Sequence, residues 1–423
     1  MADTPDQGLA PVAPQQGARQ STLRELNLGL VARQVFAQPG ALTRAGIAAA
    51  TGMTRSTVSR LVDTLIAVGL LTEGVAEPRS RRGRPGTPVC PASDTYLALG
   101  LEANVAHLAA TVVDLTGAVQ GRVVVPSDNA GKEPATVLAQ LGGLGREVLR
   151  DAPGELLSVR VALPGIIDHT RTVLLRAPNL GWSQVNLAAG LRAGGLDLSA
   201  GLKAGNEADF AALTIAMSAP GRLTGPETFL YVSGNVGIGS ATVRQGQVWS
   251  GPHGWAGELG HLCVDPDGLR CGCGARGCLE TVAGRAAVLR AAGCSGWSQL
   301  LQALERRDPT VVAAVETVGR ALGIALSAAL NLLDLPVVVL GGHLADLGPQ
   351  ILPVVRTELA ERVLAAPFAQ VQVELRRLDD EAPAALGAAY AGVIDLLADP
   401  SAVVEAHGHE ADSLGRQTSD RSS

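Results

Sequence analysis

The chain has 423 residues, too many for one compact core, and this length predicts roughly two or three domains. Hydrophobic residues make up 47% and charged residues 17%, so each domain can bury a core and wholesale disorder is excluded. Aromatic residues make up only 3%, which argues against a protein that reads single-stranded nucleic acid by base stacking. Six cysteines are too few for a disulfide scaffold of this length.

The amino-terminal segment has no apolar stretch of the kind that a secretory signal needs. Residues 1–20 are polar and rich in proline and glutamine, and we expect them, like the polar residues 400–423, to be disordered. The most apolar stretch, 321–342, is interrupted by serine, asparagine, aspartate and proline. This interruption predicts a buried helix followed by a buried strand rather than a membrane span. The sequence therefore predicts a cytoplasmic protein with no membrane partner.

Charge is distributed unevenly along the chain. The formal net charge is −6, but residues 19–86 hold ten arginines against four carboxylates. The residues from 87 onward carry a net charge of −10. A basic head in front of an acidic body is typical of a DNA-binding domain joined to a sensor. A solvated basic helix pair without a partner would have the same charge.

Residues 21–90 have the pattern of a winged helix-turn-helix DNA-binding domain. Apolar residues at helical spacing predict a first helix that ends at a Pro-Gly pair. Thr43 and Thr54 are the predicted N-caps of two further helices, which are separated at Gly52. The strand LLTEG and the basic loop PRSRRGRPG follow. Such a loop suits a wing that lies along a phosphate backbone or in a minor groove.

The third helix carries a polar outward face near its amino terminus, where side chains of a recognition helix reach base edges in the major groove. The predicted DNA contacts of the whole head are Arg44, Arg55, Ser56, Thr57, Ser59, Arg60, Arg81, Arg82 and Arg84. We expect a homodimer on a roughly palindromic operator. The alternatives are a helical hairpin used for dimerisation and a flexible basic linker at 78–88.

Residues 94–398 have an α/β pattern. Three strands joined by turns come first, and helices and strands then alternate. Two successive sets of this kind predict two α/β lobes with a cleft between them. We expect the first lobe at about 94–205 plus 386–398 and the second at about 206–385.

The strongest chemical pattern lies at residues 257–280, GELGHLCVDPDGLRCGCGARGCLE. Cys271, Cys273 and Cys278 are three soft ligands, the glycines between them let the backbone curl, and His261 supplies a fourth donor. This set predicts one structural zinc ion per chain. Buried free thiols or a disulfide are the alternatives, although a disulfide leaves one of the three cysteines unpaired. The other cysteines are predicted to be ordinary buried thiols: Cys90, Cys263 and Cys294.

The run C-x-C-G-x-x-G-C-L-E, preceded by G-E-L-G-H, resembles the ROK family, which groups bacterial sugar repressors, open reading frames and sugar kinases. The resemblance covers about residues 21–398 and includes PNLGW, the pair at 206–207, the glycine pair at 341–342 and the winged head. It implies an actin-like, hexokinase-type two-lobed α/β body with a sugar in the cleft. The sugar contacts that it implies are Asn179, Asn206, Glu207, Glu258, His261 and Glu280.

These residue types suit a sugar, since adjacent hydroxyls pair with carboxylates and amides, and zinc on one imidazole nitrogen would orient the other toward a hydroxyl. For Glu258 or Glu280 alone, the alternative is an ordinary surface carboxylate.

The chain departs from the kinases of this family at the loop after the first strand of the body. Those kinases resemble one another in a D-x-G-G-T loop, whose glycines let backbone N–H groups approach nucleotide phosphates. The matching stretch here, 102–106, reads Glu-Ala-Asn-Val-Ala and lacks both glycines and the threonine. Glu207 stands at the position of the kinase general base, an aspartate, and is longer by one methylene. The resemblance therefore implies a sugar pocket without a nucleotide site, and no catalytic residue is predicted.

The sequence thus predicts a sugar-responsive transcriptional regulator, a repressor of carbohydrate genes, without kinase activity. Its expected partners are operator DNA, a monosaccharide or sugar phosphate effector, and further copies of itself in a dimer or a dimer of dimers. One alternative is an ATP-dependent sugar kinase of the ROK type fused to a DNA-binding domain. Another is a zinc-stabilised scaffold in which both sites are inert.

Overall fold

The computed structural model describes residues 20–75, 86–377 and 381–407. The predicted wing contacts Arg81, Arg82 and Arg84 lie outside these residues. Within them, the chain forms a small helical head followed by two five-stranded sheets with helices packed against them.

The head contains three helices and a two-stranded sheet. Its elements are α1 (Gln20–Ala37), α2 (Arg44–Thr51), α3 (Arg55–Ala67), β1 (Leu71–Glu73) and β2 (Val89–Pro91). The predicted caps are confirmed, because the Thr43 hydroxyl accepts from the Gly46 N–H and the Thr54 hydroxyl from the Thr57 N–H, each at 3.2 Å. Gly52 ends α2 with a φ of 71°, which favours glycine. β1 and β2 pair antiparallel and form the base of the predicted wing.

The first part of the body is built on a sheet with the strand order β10-β6-β3-β4-β5. Its elements are β3 (Tyr96–Ala103), β4 (His107–Asp114), β5 (Val119–Pro126), α4 (Pro134–Leu149), β6 (Glu155–Leu163), β7 (Ile166–Ile167), β8 (Val173–Ala177), β9 (Trp182–Asn186), α5 (Leu187–Ala193), β10 (Leu202–Asn206) and α6 (Glu207–Ala216). β3 to β5 form an antiparallel meander, whereas β6 and β10 run parallel to β3. Parallel strands bring their carboxyl ends to one edge, where α6 begins.

The second part of the body is built on a sheet with the order β15-β14-β13-β16-β17. Its elements are β11 (Met217–Ala219), β12 (Arg222–Leu223), β13 (Phe229–Gly234), β14 (Ile238–Arg244), β15 (Gln247–Val248), a 3₁₀ helix (Leu259–His261), α7 (Glu280–Ala283), α8 (Arg285–Ala291), α9 (Trp297–Glu305), α10 (Pro309–Leu333), β16 (Val337–Gly342), α11 (His343–Asp346), α12 (Gly348–Arg362) and β17 (Gln372–Leu375). β13, β16 and β17 are parallel, and β14 is antiparallel to β13.

α10 is long and apolar enough to cross a membrane by length and composition. The structure instead packs its apolar face into the core of the second part of the body, together with residues of α12 and β16. The prediction of a buried helix followed by a buried strand is confirmed.

The next helix, α13 (Pro383–Ala398), returns to the first sheet and packs closely on it. A Cβ atom at Gly100 of β3 would overlap the carbonyl oxygen of Ala385. In the same way, a Cβ atom at Gly387 would overlap the carbonyl oxygen of Phe210 in α6. Glycine is required at both positions because backbone meets backbone there. α13 is thereby fixed against β3 and α6.

The carboxyl-terminal segment differs from the sequence prediction, which expected disorder from residue 400. Ser401–His407 form a short helix, α14. Val403 and Val404 pack against the core that the head shares with α13. The prediction of disorder rested on the polar composition of residues 400–423. It was wrong for residues 401–407 because composition does not show that two valines pack against residues far away in the sequence.

Candidate functional site

A cleft of about 750 Å³ lies between the two sheets. Its lining includes every residue that the sequence analysis proposed as a sugar contact: Asn179, Asn206, Glu207, Glu258, His261 and Glu280. These side chains come from the loop between β8 and β9, the start of α6, the 3₁₀ helix and the start of α7. The cleft also includes residues that the sequence analysis did not propose as contacts: His107, Arg285, His343, Asp346 and Arg377.

Glu280 joins the two parts of the body across the cleft. Its Oε2 accepts a hydrogen bond from the Ile238 N–H at 3.0 Å and lies 3.4 Å from Nδ2 of Asn179. Gly237 makes this possible, because a Cβ atom there would overlap the same carboxylate oxygen. A ligand in the cleft therefore meets an amide from the first part and a carboxylate from the second at the same place.

Asn206 and Glu207 stand where β10 passes into α6. The Asn206 side-chain oxygen caps α6 by accepting from the Ala208 N–H at 2.8 Å. The Oε2 atom of Glu207 is buried and has no hydrogen-bond partner among the described residues. Burial, together with the nearby Glu102 carboxylate, raises the pKa of Glu207 to about 8. Such a carboxyl group is well suited to pair with a hydroxyl of a ligand.

The turn between β3 and β4 lines part of the cleft. Glu102, at the end of β3, is only 2% exposed. Its carboxylate accepts from the Ala385 N–H at 3.0 Å and lies 3.0 Å from Nε2 of His107. This glutamate is thus held on both sides, by the turn and by the start of α13.

Four predicted metal ligands converge beside the cleft. The ligand atoms of His261, Cys271, Cys273 and Cys278 all lie within 4.8 Å of one another. Nδ1 of His261 is 3.7 Å from Sγ of Cys271, and Sγ of Cys273 is 3.7 Å from Sγ of Cys278. Tetrahedral zinc with Zn–S bonds of about 2.3 Å separates its sulfur ligands by about 3.8 Å, so the donor set fits this ion. Nε2 of His261 lies 3.8 Å from Glu258.

The other three cysteines are more exposed than predicted. Cys263 is exposed, and Cys90 and Cys294 are half-buried. Cys263 pairs with Cys278 in an isolated β-bridge, but its thiol is not among the four convergent donors. The prediction of buried thiols was wrong because burial depends on how distant parts of the chain pack, which the neighbouring residues in the sequence do not reveal.

The predicted DNA-binding face lies on the first turns of α3. Arg55, Ser56 and Arg60 are exposed there, and Thr57 and Ser59 are half-buried. At the start of the helix, the Thr54 hydroxyl lies 3.0 Å from that of Ser56 and 2.9 Å from that of Thr57. Arg55 and Arg60 are therefore the long side chains of this face that are exposed to solvent.

Arg44 has a different environment from the arginines of α3. Its guanidinium pairs with Asp63 of α3 and with Glu73 of β1, and the bond to Glu73 is 3.0 Å long. Burial opposes the charged form of Arg44, but these two carboxylates outweigh that effect and raise its pKa. The side chain thus links α2, α3 and β1, which competes with its predicted contact to DNA.

The head and the two-lobed body together define a hexokinase-type protein that carries a helix-turn-helix domain. The sequence model of the ROK family matches residues 98–392, and that of the IclR helix-turn-helix domain matches residues 15–74. The chain belongs to the ROK family.

Curated relatives match the chain over both head and body. The xylose repressor of Bacillus subtilis (strain 168) is 24% identical over 374 residues, covering 87% of this chain and 95% of the repressor. The DNA-binding transcriptional dual regulator NagC of Escherichia coli (strain K12) is 25% identical over 376 residues, covering 84% of this chain and 90% of NagC. The predicted class, a transcriptional regulator rather than an enzyme, is confirmed.

Solved structures share the fold. A ROK family transcriptional regulator described as a homologue of the E. coli MLC protein aligns with a TM-score of 0.73 at 22% identity, over 90% of this chain and 99% of that chain. The ROK family glucokinase from Streptomyces griseus, in complex with glucose and AMPPNP, aligns with a TM-score of 0.58 at 23% identity, over 69% of this chain and 98% of the kinase. The predicted two-lobed α/β fold with a helix-turn-helix head is confirmed.

Proposed function

We propose that this regulator is a cytoplasmic repressor of carbohydrate genes, which binds operator DNA with its head and a monosaccharide in its cleft without phosphorylating it. The observation that carries the proposal is the convergence of six hydroxyl-binding side chains on one cleft in a chain with a helix-turn-helix head. The names of relatives such as the xylose repressor and the N-acetylglucosamine repressor support sugar as the class of effector.

In the proposed site, the carboxylates of Glu258 and Glu280 accept hydrogen bonds from adjacent sugar hydroxyls, and the amide of Asn179 donates to a sugar oxygen. Glu207 pairs with a further hydroxyl through its unpartnered oxygen. His261 would hold zinc through Nδ1, the nitrogen that lies 3.7 Å from Cys271 Sγ, and this would leave Nε2 free to pair with a sugar hydroxyl.

We propose that one zinc ion per chain has a structural role. His261 and the three cysteines give a closed four-donor set, which leaves no open position for chemistry. The ion would tie the segment that carries Glu258 to the segment that carries Glu280. The positions of both carboxylates would then depend on the metal.

For DNA, we propose a homodimer, or a dimer of dimers, on a palindromic operator with half-sites about one DNA turn (~10 bp) or a multiple of it apart. Arg55 and Arg60 would read base edges, with the shorter side chains at the start of α3 beside them. The wing arginines Arg81, Arg82 and Arg84 would contact phosphates. Arg44 would orient α3 through its ion pairs more than it contacts DNA.

Helix α13 supports coupling between the two sites, because it reaches the cleft at one end and the head at the other. Pro383 and Ala384 line the cleft at its amino-terminal end. At its carboxyl-terminal end, the Leu397 carbonyl accepts a 3.2 Å hydrogen bond from the Arg33 guanidinium in α1. Couplings of this kind are typically worth about 1–3 kcal/mol, or roughly 5- to 150-fold in operator affinity.

Two measurements test the proposal. Operator titration with and without each sugar of a pentose, hexose and N-acetylhexosamine panel should show a sugar that changes operator affinity. An assay of ATP-dependent phosphorylation over the same panel should show no turnover. Robust turnover would favour a kinase, and binding of neither sugar nor operator would favour an inert scaffold. A sugar that binds tightly but leaves operator affinity unchanged would show that the cleft is not the sensor for that ligand.

A further inference from the structure

The turn between β3 and β4 is closed by one of its own side chains. The side-chain oxygen of Asn104 accepts hydrogen bonds from the N–H groups of Ala106, at 2.8 Å, and His107, at 3.0 Å. Its Nδ2 donates to Glu102 at 2.9 Å. The fully buried Asn129 supports this arrangement by donating to the Asn104 carbonyl at 2.8 Å.

Consecutive backbone N–H groups in a turn are what proteins use to bind a phosphate. In this turn, two of them already have an acceptor in Asn104, which is 7% exposed. The nearest charged group is the carboxylate of Glu102, which repels an anion. An anionic ligand would therefore have to displace a side chain and approach a carboxylate at the same time.

The second backbone turn of the cleft, between β13 and β14, is also occupied. The Ile238 N–H donates to Glu280, and the Asn235 N–H donates to the Gly237 carbonyl at 3.2 Å. These two N–H groups of the turn therefore already have acceptors. The acceptor of the Ile238 N–H is a carboxylate, as near the first turn.

The charged groups that line the cleft also disfavour an anionic ligand. Six carboxyl groups line it: Glu102, Glu207, Glu258, Glu280, Asp346 and Glu381. The described lining contains two arginines, and both have partners. Nε of Arg377 lies 3.3 Å from Asp346, and the guanidinium of Arg285 stacks 5.0 Å from the centre of the Trp297 ring. Glu207 adds no positive charge in either of its protonation states.

From these contacts we infer that the effector is an unphosphorylated sugar, and that Asn104 determines this specificity by occupying the donors that a phosphate would need. The inference rests on the proposed sugar-binding function and narrows its ligand class. A phosphate on the sugar hydroxyl next to Glu207 would face the Glu102 carboxylate and a turn whose N–H groups at Ala106 and His107 already donate to Asn104.

The test compares matched ligands on the full-length protein. Glucose and N-acetylglucosamine, which keep a free 6-hydroxyl in the pyranose ring form, are titrated by calorimetry together with the 6-phosphate of each. We expect at least one free sugar to bind at least about 10-fold more tightly than its phosphate. Equal or tighter binding of the phosphorylated form would overturn the inference, and loss of that binding in Arg285→Ala would identify the arginine responsible.

A panel in which neither form of any sugar binds would overturn the proposed sugar sensor and this inference with it. That result differs from preferential binding of phosphates, which would leave the sensor intact and overturn the inference alone.

Two variants at one position test the role of Asn104. Asn104→Gly releases the N–H groups of Ala106 and His107, and we expect the preference for the free sugar to shrink by about 10-fold. Asn104→Asp keeps an acceptor oxygen at the same place and adds a carboxylate, so the preference should persist or increase. Thermal unfolding shows that each variant is folded before the ratio of the two affinities is compared. An unchanged ratio in Asn104→Gly would exclude Asn104 as the determinant.

Discussion

The Tyr96 hydroxyl donates a 2.7 Å hydrogen bond to the carbonyl oxygen of Val68. Val68 is the C-cap of α3, the helix proposed to read DNA, and Tyr96 begins β3, whose other end reaches the cleft. Nε2 of His407 in α14 lies 3.1 Å from the same hydroxyl. The end of α3 is thus hydrogen-bonded directly to the body through Tyr96, and α14 contacts the same hydroxyl.

The first prediction concerns this attachment. Tyr96→Phe removes the hydroxyl but keeps the buried ring, so we expect a loss of about 1 kcal/mol in the free energy of unfolding. We also expect the sugar-dependent change in operator affinity to become smaller, because the head is held less firmly. Operator titration with and without sugar measures this change. A sugar response of unchanged size in Tyr96→Phe would contradict the prediction.

The second prediction concerns zinc. Metal analysis of protein never exposed to chelator should give one zinc per chain, and Cys273→Ser should lower this content. The same variant should increase hydrogen exchange in residues 258–280 and weaken sugar binding, because both carboxylates lose their support. Cys294→Ser, a half-buried cysteine outside the cluster, should change none of these. Absence of zinc from the purified wild-type protein would remove the premise.

The third prediction concerns base reading by the head. Arg55→Ala or Arg60→Ala should weaken specific operator binding by about 1–3 kcal/mol, because a side chain at a base edge is lost. Fluorescence anisotropy with operator and scrambled DNA measures the effect. Arg290→Ala removes an exposed arginine of the body and serves as the control.

The fourth prediction concerns the wing. Substitution of Arg81 or Arg84 should weaken binding to all sequences alike and reduce the slope of log affinity against log salt by about 1. Operator affinity unaffected by the four substitutions at positions 55, 60, 81 and 84 would defeat the assignment of the head.

The fifth prediction concerns pH. The pKa of Glu207 rises from its ordinary value of 4.5 to about 8 in the folded protein, so the native state holds a proton that the unfolded state releases. The free energy of unfolding should therefore fall as the pH rises from about 5 to about 8, by a few kcal/mol at most. Glu207→Gln should flatten this decline in urea titrations. A decline of equal size in the variant would assign it to other groups, of which Asp209, with a pKa raised to about 7, is the first to examine.

Local patterns made the caps and the metal cluster predictable. Thr43 and Thr54 need only the next three residues to act as caps, and both do so in the structure. The three cysteine ligands lie within eight positions of one another, so chain geometry alone brings them close. The convergence of Asn179 and Glu280 required a family resemblance, because about a hundred residues separate them.

Contacts between distant elements were not predictable in the same way. The charge count of the head treated Arg44 as free for DNA, although Asp63 and Glu73 pair with it. The missing glycines indicated that the turn at 102–106 does not bind phosphate, but not that Asn104 fills its donors. Each of these depends on which side chains meet after the helices and strands have packed.

Helix α13 reaches the cleft at one end and the head at the other. The coupling free energy between two binding sites acts equally in both directions. A sugar that weakens operator binding is therefore itself bound less tightly when the protein is on the operator. A molecule on its operator would then release at a higher sugar concentration than the one that half-fills a free molecule. The sugar concentration at which a controlled gene is switched would be set by the affinity of the DNA-bound protein for the sugar. A sugar affinity measured without DNA would underestimate that concentration.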